Sequence, residues 1–336
     1  VNQPAESSTP FDDVRELALR EISPDGDAGQ KVRSALLGMG REGDFGKLGT
    51  AAEWLAGWQR RYPPRIENAT LAVFAGSHGV TGSGGVSLST DESTRERVDT
   101  LREGRAPLSA IAAENNANIR VFELAIEQPT TDFTDGAAMS ERECAATIAY
   151  GFEALEGTPD LLALGVVGAG IGTAAAAVAC GLYGGTPEYW VRPGPATPND
   201  INAARIEAVN AGLARHRGQL DGPLQILRCL GGRELAACVG AILAARVQSI
   251  PVVLDGFATT IAAGVVHALN ADAVSHVLAG HVTKRPAHQA ALDRLDLQPL
   301  LPLEFNTGGG MGSVAAIGML RTACAPFLGE PAGGEG

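Results

Sequence analysis

Glycine clusters behind apolar runs are the first candidates for chemistry. Backbone N–H groups that glycine exposes at the start of a helix can close on a phosphate, which the helix dipole also favours. Gly76-Ser77-His78-Gly79 follows ATLAVFA, Gly168-Ala169-Gly170-Ile171-Gly172-Thr173 follows LLALGVV, and Gly231-Gly232-Arg233-Glu234 follows ILRCL. Asp255-Gly256 follows IPVVL, Gly280-His281 follows SHVLA, and Gly308-Gly309-Gly310-Met311-Gly312 opens the last helical stretch. Gly168, Gly170 and Thr173 make the strongest phosphate candidate, with a plain tight turn as the rival reading. Thr173 stands where a G-x-G-x-x-G fingerprint wants its third glycine, and no Walker lysine follows. A nicotinamide-dependent oxidoreductase is therefore poorly supported, since Glu188 also falls in GGTPEYW and not at a strand end. Ser77, His78, Gly231, Asp255 and His281 sit in these loops, where they could line a cleft. A satisfied core histidine and a helix-capping aspartate are the ordinary alternatives. Arg233-Glu234 reads as an ion pair at a helix start. No metal-ligand spacing and no G-x-S-x-G elbow is present, so neither a metal nor a serine nucleophile is expected.

Loops of this kind require strands that end in them. Residues 69–75, 118–125, 161–167, 225–230, 250–254 and 273–278 are short apolar runs that read as strands. Helical patterns alternate with them at 140–155, 174–182, 199–215, 234–247, 258–269 and 287–295, and others occupy 11–20, 48–61 and 313–327. Ser140 and Glu143 give the first of these a capping-box signature. The alternation predicts an α/β fold, with a parallel sheet covered on both faces and ligands bound beyond the strands' carboxyl ends.

The 336 residues include 43 Gly, 26 Lys+Arg and 38 Asp+Glu, for a net charge of -12. Such an acidic chain lacks the basic face that nucleic acid requires, and 5% aromatics leave no base-stacking platform. A hydrophobic share of 45% excludes disorder. Cys144, Cys180, Cys229, Cys238 and Cys324 form no C-x-x-C pair and read as buried thiols. Residues 1–27 are polar and acidic, unlike a signal peptide. The uncharged stretch 161–187 is long enough to span a bilayer, yet Gly165, Gly168, Gly170 and Gly172 suit a strand, a turn and a helix better. The expectation is a cytoplasmic protein with no membrane and no nucleic-acid partner.

Several motifs resemble those of nicotinate-nucleotide–dimethylbenzimidazole phosphoribosyltransferases. They are AGSHGV at 75–80, GVS at 85–87, DLLALG at 160–165, TAAAAV at 173–178, GLYGGTPEYWV at 181–191, LGGRELAA at 230–237, IPVVLDGF at 250–257 and GGGMGSVAAIGMLR at 308–321. They occur in the family's order over nearly the whole chain. The resemblance implies a three-layer α/β/α unit with a six-stranded, parallel, Rossmann-like sheet and a smaller helical domain drawn from the chain termini. The large domain would cover about 66–300, the small one about 11–62 and 301–327, within a single unit of 1–336 whose residues 329–336 form a disordered tail. It further implies a homodimer, no cofactor, and transfer of phosphoribose from nicotinate mononucleotide to 5,6-dimethylbenzimidazole. Candidate binding residues are Ser77, His78, Glu96, Gly168, Gly170, Thr173, Gly231, Asp255, His281, Gly308, Gly309 and Gly310.

This chain departs from the family's pattern where that chemistry needs carboxylates. The family's LGEGTG, whose glutamate is the proposed general base, reads TGGGMG here, so Gly309 takes that place. Its GEMGIGNTT reads GVVGAGIGT, so Val166 replaces a second glutamate. Its Q-M-V becomes Glu96-Arg97-Val98, and its E-P-G-H becomes Arg285-Pro286-Ala287-His288. Glu304 and Glu96 are the candidate surrogate acids. Two functions remain: transfer to dimethylbenzimidazole or a related base, or an inactive paralogue that binds nucleotide or base. In the second case the chain could act as a regulatory subunit, paired with an active relative.

Overall fold

Seven-residue apolar runs make the central strands, because a strand buried on both faces has no polar side to show. In a computed structural model that describes residues 9–41, 43–82, 85–192 and 197–329, five parallel strands build one sheet. They are β1 (Ala69–Ala75), β2 (Ala117–Glu123), β3 (Leu161–Val167), β4 (Val252–Leu254) and β5 (Val277–Ala279), in the order β2-β1-β3-β4-β5. Ala69 is in register with Ala117 on one side and Leu161 on the other. The sheet among the described residues has five strands and not the implied six; His281 and Leu301 add only a lone parallel bridge. Residues 330–336 of the expected tail lie outside the described residues.

Side chains of one strand alternate between two cores. Ala72, Phe74, Leu162, Leu164 and Val166 enter one cluster, while Leu71, Val73, Ala163 and Val167 enter the other. The first cluster is covered by the helices Ile171–Tyr183, Pro223–Leu230, Arg233–Val247 and Phe257–Leu269. The second is covered by Gly26–Met39, Gly46–Gln59, Pro107–Glu114 and Met311–Cys324. The three-layer α/β/α arrangement is therefore present. The uncharged stretch resolves into β3, a turn and the buried alanine helix Ile171–Tyr183. Among the described residues no helix is long and apolar enough to cross a membrane. All five cysteines are free and buried.

The segment 225–230 is a correction. It belongs to the helix Pro223–Leu230, which begins with proline at its first position and buries Leu224, Leu227 and Leu230 at helical spacing. The helices Gly26–Met39, Asp91–Arg102 and Pro107–Glu114 were not anticipated. Ser140 Oγ does accept a hydrogen bond from Glu143 N at 3.1 Å, and the α-helix it starts ends at Tyr150 before a 3₁₀ turn.

Candidate active site

The strand order reverses direction between β1 and β3, and a doubly wound sheet opens a crevice at such a point. A cleft of about 400 Å³ lies there, walled by Val166 near the end of β3, by Gly168, Gly170, Gly172 and Thr173 after it, by Asp255 and Gly256 after β4, and by His281 after β5. Gly170 sits at φ 82°, and a Cβ there would press on Thr81 Cγ2 at 2.8 Å, so glycine is required to turn the chain into the helix Ile171–Tyr183. Just inside that helix, Thr173 is 1% exposed and its Oγ1 has no hydrogen-bond partner among the described residues. Asp255 accepts from the N–H groups of Gly310, Gly312 and Ser313 at 3.1, 2.8 and 3.3 Å. Its carboxylate thereby pins the start of the helix Met311–Cys324, a charge the helix dipole favours.

A second cleft of about 330 Å³ adjoins the first. Its apolar wall is Leu101, Ala106, Pro107, Leu108, Val167 and Met311, and Glu96, Arg97 and Thr100 add polar groups. Thr307 and Gly308 line both clefts and form their shared boundary. Gly309 lines the second, at φ 100°. Two ligands seated in the pair would meet across Thr307 and Gly308, the geometry that a group transfer between them requires.

Cations outnumber anions in the first cleft. Arg205 and Arg285 line it, and Asp255 is its one carboxylate among the described residues. Desolvation lowers the pKa of Arg205. Desolvation, and then the charge of Arg205, lowers that of Arg285 to about 10. In the second cleft, desolvation lowers the pKa of Arg97. Behind the first cleft His288 is held at about 3 by burial and then by the neighbouring His281 and Arg285.

The structure gathers Gly168, Gly170, Thr173, Asp255, His281 and Gly308 in the first cleft, and Glu96, Gly308 and Gly309 in the second. Ser77, His78, Gly231 and Gly310 line neither. Ser77 Oγ donates to Ile126 O at 2.7 Å inside the fold. His78 is buried against Glu234, so Glu234 does not pair with Arg233, which instead reaches Glu143 at 2.7 Å. Gly231 closes a helix on Leu227 O, and Gly310 is held by Asp255. Glu304 is exposed, lines neither cleft and pairs with Lys284 at 3.2 Å. Arg205 lines the first cleft from mid-helix in Asn199–Arg215; the sequence marks it only through the family's R-K pair, which reads Arg205-Ile206 here, and it was not among the candidate binding residues.

Known proteins resemble this chain over nearly its whole length. The sequence model of a phosphoribosyltransferase family matches residues 23–330. The nicotinate-nucleotide–dimethylbenzimidazole phosphoribosyltransferase of Sinorhizobium fredii is 43% identical over 321 residues, covering 95% of this chain and 94% of its own. That of Brucella canis is 41% identical over 318 residues, covering 94% of each. The crystal structure of the Thermus thermophilus protein of the same name superposes with a TM-score of 0.83 at 30% identity, covering 90% of this chain and 96% of that one.

Proposed function

The chain belongs to the nicotinate-nucleotide–dimethylbenzimidazole phosphoribosyltransferase family, and on that premise we propose that it moves phosphoribose between its two clefts. The donor is a nicotinate-mononucleotide-like molecule in the first cleft, and the acceptor is dimethylbenzimidazole or a related base in the second. The observation that carries this reading is the shared boundary at Thr307 and Gly308, which sets a polar, cationic cleft against an apolar one.

In that reaction the C1′–N bond breaks, and its electron pair neutralises the cationic nicotinate ring nitrogen. The acceptor nitrogen forms the new bond from the opposite face, and the acceptor's N–H proton leaves. Glu96 is the one carboxylate lining the acceptor cleft among the described residues, and we assign it that proton. No equivalent helps the donor side. Val166 is apolar, and Asp255 is engaged by three backbone donors. Positive charge on the ribose is therefore weakly stabilised and turnover is slow, below a fully equipped site by about 10²–10⁴-fold.

Purified protein given nicotinate mononucleotide and dimethylbenzimidazole should release nicotinate slowly and catalytically, in step with α-ribazole 5′-phosphate. Binding of both ligands with no release would overturn catalysis. It would favour the second reading, a nucleotide- and base-binding subunit that works beside an active paralogue. The lack of an uncommitted carboxylate in the first cleft, among the described residues, is what supports that alternative. A homodimer belongs to the first reading and a heterodimer to the second, and sedimentation with and without the paralogue separates them.

A further inference from the structure

The helix Asp91–Arg102 carries three arginines, and two of them are paired. Arg95 reaches Glu123 and Glu127, and Arg102 reaches Glu123. Arg97 makes no hydrogen bond or ion pair among the described residues. Glu96 precedes it, but successive residues on a helix do not face each other. Arg97 instead lines the second cleft, whose wall is mostly apolar. Beside it the chain leaves room. Gly309 has no side chain, and a Cβ there would stand 4.0 Å from Arg97 Nη2, 3.7 Å from Val167 Cγ2 and 3.8 Å from Leu108 Cδ2. The guanidinium thus borders an open place between two apolar side chains, next to the Thr307–Gly308 boundary.

A cation at that place disfavours an apolar acceptor and favours an anionic one. Desolvation already lowers its pKa, with no neighbouring acid to offset the effect. An aromatic ring bearing only methyl groups would take more water from the guanidinium and return no hydrogen bond. A carboxylate would return two, because the guanidinium fork matches its pair of oxygens. It is also the smallest anionic group that offers both acceptors. Arg97 is open to solvent on one side, so a ligand can reach it. The family's Q-M-V run has methionine where Arg97 stands, so this feature belongs to the present chain.

We propose that Arg97 makes the second cleft select an aromatic nitrogen base that bears a carboxylate, over neutral bases such as dimethylbenzimidazole. The carboxylate lies beside Gly309 and pairs with the guanidinium, while the ring rests on the apolar wall. It is a binding group and takes no part in the bond changes of transfer. This rests on reading the second cleft as the acceptor site.

Titration calorimetry measures binding of benzimidazole-4-carboxylate, benzimidazole-5-carboxylate and the neutral carboxamide of each. Nicotinate release from nicotinate mononucleotide, with these bases and with dimethylbenzimidazole, measures transfer. A hydrogen bond to a charged group corresponds to about 10–150-fold in affinity, and solvent on one side of Arg97 places the expectation near the lower end. For at least one isomer, wild type should bind the carboxylate about 10-fold more tightly than its carboxamide. Arg97→Met should abolish that preference, and Arg97→Lys should keep part of it. Gly309→Glu should also abolish it, because the new carboxylate takes up the guanidinium. A merely structural arginine would shift both affinities together and leave their ratio unchanged. Equal affinities in wild type, binding of neither ligand, or a preference that survives Arg97→Met would overturn the inference. Base-dependent release with dimethylbenzimidazole alongside equal affinities would overturn the selectivity and leave transfer standing. An Arg97-dependent preference without release from any base would uphold the selectivity and refute transfer.

Discussion

Replacing Gly309 by glutamate should speed transfer, because it puts a carboxylate in the second cleft next to the Thr307–Gly308 boundary, where its charge offsets the positive charge on the ribose as well as adding a base. The backbone sets the cost. Gly309 lies at φ 100°, a conformation L side chains rarely adopt, and holding one there costs on the order of 1–3 kcal/mol of stability. Space is not limiting. A Cβ would stand 3.7 Å from Val167 Cγ2, 3.8 Å from Leu108 Cδ2 and 4.0 Å from Arg97 Nη2, all ordinary contacts. A positioned base contributes about 10²–10⁴-fold, or ~3–5 kcal/mol of barrier. Arg97 works against the full gain, because a guanidinium beside the new carboxylate favours its ionised form and makes it a weaker base. The single variant should therefore gain about 10²-fold, and Gly309→Glu with Arg97→Met about 10³–10⁴-fold. Initial rates of nicotinate release at saturating donor and base measure this for wild type, both single variants and the double variant. Urea unfolding of each monitors the backbone cost. If the variants fold and yet release nicotinate no faster than wild type, the absent carboxylate is not what limits turnover. If Arg97→Met alone gives the whole gain, the limit is the guanidinium.

Glu96→Gln should lower nicotinate release by about 10²-fold, whereas Glu304→Gln, changing only an exposed ion pair with Lys284, should leave it unaltered; the reverse pattern would reassign the proton acceptor. Asp255→Ala strips the acceptor from three backbone N–H groups at the start of the helix Met311–Cys324, so stability should drop by at least about 3 kcal/mol in urea. Donor and base affinities should fall together, because the Thr307–Gly308 boundary loosens with that helix. Buried His276 is held at about 3, chiefly by desolvation, as is His288. Both stay neutral in the fold while the unfolded chain takes up protons below about pH 6.5, so stability is complete above that pH and declines toward pH 3. The slope reaches about 1.4 kcal/mol per pH unit for each histidine. Equal unfolding free energies at pH 7 and pH 5 would refute this.

The strands that carry the site were readable because burial on both faces leaves a continuous apolar run. Residues 69–75 and 161–167 coincide with β1 and β3. The same rule misled at 225–230, where an apolar run was weighed without Pro223 and the three-residue spacing of its leucines. The helix Asp91–Arg102 went unnoticed because only Thr94, Val98 and Leu101 are buried in a polar segment. Glycine loops marked the first cleft, since a tight turn and a phosphate cradle need the same residue. The charges that decide what the cleft binds were less visible. Arg205 and Arg285 lie in separate helices or their edges and come to line one cleft only in the folded chain. His78 shares a loop with glycines, yet its partner Glu234 is 156 residues away and draws it into the core.

The most direct test is a timed assay of nicotinate release from nicotinate mononucleotide, with and without dimethylbenzimidazole, using enough wild-type protein to detect slow turnover. Release that depends on the base, exceeds one equivalent per chain and falls in Glu96→Gln is the predicted result. No base-dependent release, from protein that calorimetry shows to bind both ligands, would contradict transfer and leave a binding subunit in its place.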